Sequence, residues 1–112
     1  MRGCTLTSAG QLARAAEFDQ LFAETVLRME RPEPTVLRLE LRPDPAAAGR
    51  TAELAVAETA CCSFFTFTLA AADGRLLLEI AVPDAHQPAL AALAALAGRA
   101  AAQVPPTERL PS

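Results

Sequence analysis

The spacing of apolar and polar residues changes several times along this chain, and each change marks an element boundary. Between Ser8 and Glu30 apolar residues recur at steps of three and four: Leu12, Ala15, Phe18, Leu21, Phe22, Val26 and Met29. That spacing places them on one face of a helix, with Arg14, Glu17, Gln20, Glu24 and Arg28 opposite. The pattern predicts a helix over residues 8–30, with Ser8 as its N-cap. Arg31-Pro32-Glu33-Pro34 stops it, because proline disfavours the helical state in the residue before it. Residues 35–42 then alternate strictly, Leu37, Leu39 and Leu41 against Arg38, Glu40 and Arg42, as in a half-exposed strand. An Ala-rich helix is expected from Ala46 to Cys61 or Cys62. Residues 63–69 are aromatic and β-branched and read as a strand with Phe65, Phe67 and Leu69 on one face. Asp73-Gly74 is a turn signal, Leu76–Val82 the return strand, and Gln87–Gln103 a third helix with Pro88 in its first turn.

The expected order is thus α-β-α-β-β-α. It describes an α+β domain with a three-stranded mixed sheet and three helices packed on one face. The βαβ unit is expected to place its two strands parallel by a right-handed crossover. Leu39, Phe67 and Leu78 are expected in one core. Residues 1–104 read as a single domain and residues 105–112 as a flexible tail.

Composition narrows the function classes. The 112 residues are 52% hydrophobic and 21% charged, a globular balance. A net charge of −3 argues against nucleic acid as the main partner. No apolar run approaches the ~20 residues of a membrane span. The start, Met1-Arg2-Gly3-Cys4-Thr5, lacks an apolar signal-peptide core, so a cytoplasmic location is expected. All ten basic residues are Arg, and Lys, Asn, Tyr and Trp are absent, a pattern of GC-rich coding more than of chemistry. With one His, the catalytic inventory is thin.

The sharpest feature is Glu58-Thr59-Ala60-Cys61-Cys62-Ser63-Phe64-Phe65-Thr66-Phe67. Three cysteines, two of them adjacent, are an odd set for a disulfide framework, and free thiols in a reducing compartment are expected. On a continuing helix Glu58 lies beside both Cys61 and Cys62. Soft thiolates select Hg(II), Cu(I), As(III) or Zn(II) over hard ions. Two thiols fall short of a closed zinc site, which takes four ligands, so Cys4 is a candidate third sulfur. Against this stands core packing, since unpaired Cys is among the most buried residue types, and a helix C-terminus disfavours a thiolate. Cys62 points about 100° away from Cys61 around a helix, so both cannot occupy one core slot.

The other candidates read as ordinary structure. His86 is a cap residue, Asp19 a solvated carboxylate, Phe64, Phe65 and Phe67 core, and Arg38 and Arg42 solubilising. Ser63 has no Gly-x-Ser-x-Gly elbow around it, which argues against hydrolase chemistry.

The Cys-Cys block resembles a group of small bacterial proteins that share a Glu-x-x-Cys-Cys-x-Phe-x-x-Phe signature, some linked to mercury-resistance-type regulators. Cys4-Thr5-Leu6 and Glu17-Phe18 are similar to the opening of that group. The resemblance implies soft-metal or metalloid binding through Cys61 and Cys62, with Cys4 as a further ligand. Three functions follow as expectations: a soft-metal binding protein, an enzyme of the organomercurial-lyase kind with Glu58 as proton donor, and a structural dimerisation or accessory domain with inert thiols. A homodimer is expected in each case, because a small sheet leaves edges unpaired.

Overall fold

The computed structural model describes the backbone of residues 8–104 and the side chains of residues 14–104. The elements are α1 (Ser8–Thr25), β1 (Val26–Glu33), β2 (Val36–Leu41), α2 (Pro45–Cys61), β3 (Thr66–Ala72), β4 (Arg75–Ala81) and α3 (Gln87–Ala102), the last entered through a short 3-10 turn at Asp84–His86. The four strands form one antiparallel sheet in the order β1-β2-β4-β3.

This corrects the expected fold. The sheet is four-stranded and antiparallel, not three-stranded and mixed, and the element order is α-β-β-α-β-β-α. Residues 26–30, expected as the end of the first helix, and 31–33, expected as its stop, are a strand that forms a hairpin with β2. Leu21, Phe22, Thr25, Val26 and Met29 fit a helical stripe, but Val26 and Met29 instead lie opposite Leu41 and Leu39. The tertiary structure decides where α1 ends. The last carbonyls of a helix need donors from elsewhere, and Arg42 supplies two: its backbone N–H donates to Thr25 O (2.7 Å) and its Nε to Glu24 O (3.1 Å). Arg42 therefore caps a helix, where a solubilising role was expected. The expected parallel relation of β2 and β3 survives only in direction. Both run antiparallel to β4, which lies between them, so they are parallel but not neighbours.

The remaining elements follow local rules. Asp44 caps α2 by accepting the Ala47 N–H, with Pro45 in the first turn. Asp73 (φ 54°) and Gly74 (φ 73°) both adopt the left-handed conformation that a tight two-residue hairpin requires. The strand expected at 63–69 begins three residues later, at Thr66, because Ser63–Phe65 form a turn after α2.

The helices cover one face of the sheet. Beneath them, Phe22, Leu37, Leu39, Leu78, Ile80 and Leu90 are essentially inaccessible. Leu39 and Leu78 share that core as expected, whereas Phe67, on the edge strand β3, is only partly buried against it. The opposite sheet face is open and charged. It carries Arg38–Glu79 (3.0 Å) and a two-pronged Arg75–Glu40 pair (Nε 3.0 Å, Nη2 2.9 Å).

Glu40 is the best-organised carboxylate of that face. The hydrogen bond from Arg75 holds its pKa below the ordinary value of 4.5; partial burial opposes this, and the charges of Arg75 and Arg28 add to it. A lowered carboxylate pKa contributes stability that is present above the ordinary value and lost as pH falls through the lowered one. Glu40→Gln is therefore expected to cost stability at neutral pH, and the cost is expected to vanish on acidification. Urea titrations between about pH 6 and about pH 3 check this, and a gap that does not shrink would refute it.

Candidate functional site

The Cys-Cys block lies where the backbone leaves α2. Cys61 is the last helical residue, and Cys62 caps the helix with φ −123° and ψ 88° while its N–H still donates to Glu58 O (2.6 Å). Phe65 N–H then donates to Cys62 O (3.3 Å), closing the turn into β3. The helical geometry ends between the two adjacent residues, and they differ in burial. Cys62 turns into the core at 4% exposure, and Cys61 stays half-buried. Core packing thus falls to Cys62.

The two sulfurs differ in covalent state. Cys61 is a free thiol, while Cys62 is disulfide-bonded. The expectation of free thiols throughout does not hold at Cys62. Cys4 lies outside the described residues.

A guanidinium and a carboxylate complete the site. Glu58, three residues before Cys61, is only 8% exposed and accepts a hydrogen bond from Arg14 Nη1 at 2.8 Å. Arg14 Nε contacts Glu17 Oε1 (3.2 Å). Burial pulls the Arg14 pKa down, but Glu58 and then Cys61 more than offset it, so it is raised above the ordinary guanidinium value. Arg14 was expected on the solvated face of its helix. Sequence spacing could not find this contact, because its partners lie 44 and 47 positions away (58 − 14 and 61 − 14). Nor did Glu58 stand out by type, since α2 carries a second carboxylate, Glu53.

An apolar cavity of about 330 Å³ opens beside these groups. Phe18, Phe64, Phe65, Leu93 and Leu96 form its greasy wall; Arg14, Glu58 and Cys62 form the polar side. The wall belongs to a run of aromatic contacts: Phe64–Phe65 at 4.6 Å, Phe65–Phe67 at 5.6 Å and Phe67–Phe18 at 6.2 Å between ring centroids. His86 stacks parallel on Phe64 at 3.9 Å, so the only His of the chain borders the site instead of capping α3 through its side chain. Asp19, with its side chain mostly exposed, lies near Arg99 (3.9 Å). Among the described residues no cluster of three or more His, Cys, Asp or Glu side chains has metal-binding geometry, and no helix is long and apolar enough to cross a membrane. No protein-family model, curated protein or solved structure matches the chain.

Proposed function

We propose that this is a thiol protein of a reducing compartment, the cytoplasm, that holds one soft metal or metalloid ion through Cys61 and Cys62. The observation that carries this reading is the pair of adjacent cysteines at the exit of α2, with Glu58 one turn before Cys61 and Arg14 paired to it. The surroundings support it. Arg14 sets positive charge near the two cysteines, and the apolar cavity lies against Cys62. A guanidinium repels a bare hard cation, whereas Hg(II) held by two thiolates is neutral and fits beside it. The described donors, two sulfurs and one ion-paired carboxylate, favour Hg(II) or Cu(I), which accept two ligands. Zn(II) or As(III) needs more, with Cys4 as the available third sulfur.

Binding requires reduction first. A dithiol reductant converts the Cys62 disulfide to two thiols and is itself oxidised to a disulfide. The ion then displaces one proton from each of Cys61 and Cys62. Affinity is therefore expected to rise with pH.

Native mass spectrometry of the fully reduced chain with Hg(II), Cu(I), As(III) and Zn(II) tests the reading. One ion per chain is expected, lost in the Cys61→Ser, Cys62→Ser double variant. Cys4→Ser weakens binding only if Cys4 is a ligand. Undiminished Hg(II) affinity in the double variant, or affinity independent of pH, would overturn the proposal. The disulfide at buried Cys62 favours one rival, an accessory domain with structural thiols. In that case alkylation would need denaturant at Cys61 and both reductant and denaturant at Cys62.

A further inference from the structure

The two edges of the sheet are unlike. The β1 edge is guarded: its pairing with β2 is interrupted between Val26 and Arg28 and again between Glu30 and Glu33, and it carries Pro32 and four charged residues, Arg28, Glu30, Arg31 and Glu33. Bulges, proline and charge are the devices that keep a strand from pairing outward. The β3 edge has none of them. Thr66–Ala72 pairs with β4 without a register shift over seven residues and contains no charge and no proline. Its outer side has no strand beside it among the described residues. Leu69 is 37% exposed even though its side chain lies on the helix-covered side, and Ala71 on that side is exposed too.

We infer that β3 pairs antiparallel with β3 of a second copy of this chain, joining two four-stranded sheets into one continuous sheet about a two-fold axis at Leu69. Leu69 is the middle residue of the strand, so this register pairs Leu69 with itself, Thr68 with Ala70, Phe67 with Ala71 and Thr66 with Ala72. Each pair suits the contact. Leu69 buries its exposed surface against its own copy, the half-buried Phe67 ring covers the exposed Ala71, and small Thr and Ala let the backbones approach. The self-pairing strand brings no like charges together. A shared strand also satisfies the N–H and C=O groups that an edge leaves to water.

Charge swapping at the axis tests this. Wild type is expected to sediment at twice the 11.8 kDa chain mass at micromolar concentration. Leu69→Lys and Leu69→Glu are each expected to sediment as monomers with unchanged far-UV circular dichroism. Mixing the two is expected to restore a dimer containing one of each. If either variant fails to fold, Ala71→Lys or Ala71→Glu at the neighbouring exposed position takes its place. A monomeric wild type, a dimer that persists in both variants, or folded variants that do not reassociate on mixing would each overturn the inference.

Discussion

Replacing Phe22 by Ala is expected to lower the unfolding free energy by about 3–5 kcal/mol, the cost of deleting a fully enclosed aromatic ring from a core that cannot collapse around the gap. Phe22 is 0% exposed, and its ring sits 5.7 Å from that of Phe18 on α1, over the sheet. Domains of this size are stable by roughly 5–15 kcal/mol, so one substitution removes a large share of the margin. Phe67→Ala, by contrast, is expected to cost clearly less, because that ring is half-buried on the edge strand. Denaturant titration of both variants checks the order. A Phe22→Ala protein as stable as Phe67→Ala would show that the core is centred elsewhere.

Arg14→Met is expected to cost about 3 kcal/mol, at the low end for breaking a buried ion pair, because it strands Glu58 inside the protein. The side chains of Arg14 and Glu58 are 17% and 10% exposed, so little water replaces the lost partner. The double variant Arg14→Met, Glu58→Leu is expected to recover most of the loss, since no uncompensated charge remains. The raised Arg14 pKa sets the pH dependence. Its contribution is complete below the ordinary guanidinium value and lost only above it, so Arg14 itself introduces no pH dependence near neutrality. A single variant within about 0.5 kcal/mol of the parent would show that the pair is solvated and the site open.

The proposed metal site and these stability effects meet at the same residues. Arg14 links α1 to the end of α2, so its loss is also expected to loosen the position of Cys61. Thiol reactivity of Cys61 in the Arg14→Met variant would report that directly.

Much of the fold was legible from residue order alone. Alternation at Leu37, Leu39 and Leu41 and at Leu76, Leu78 and Ile80 committed those residues to one face of a sheet, because side chains along a strand have a period of two. Pro45 and Asp44 set the start of α2, and Asp73-Gly74 set the β3–β4 hairpin, because cap and turn chemistry is local. The adjacency of Cys61 and Cys62 beside Glu58 was likewise plain. Residues 26–33 were not legible, since Val26 and Met29 satisfy a helical period and a strand equally well. Arg42 and the β2 register resolve that ambiguity from outside the segment. The same holds for strand order. Nothing local says that β4 enters between β2 and β3; the choice is made by which pairing buries Leu39, Leu78 and Ile80 together under the helices. At the site, local sequence determined that Glu58, Cys61 and Cys62 sit within one helical turn. Only the tertiary structure brought Arg14 to Glu58, turned Cys62 into the core and built the aromatic cavity, because these contacts join segments that share no sequence neighbourhood.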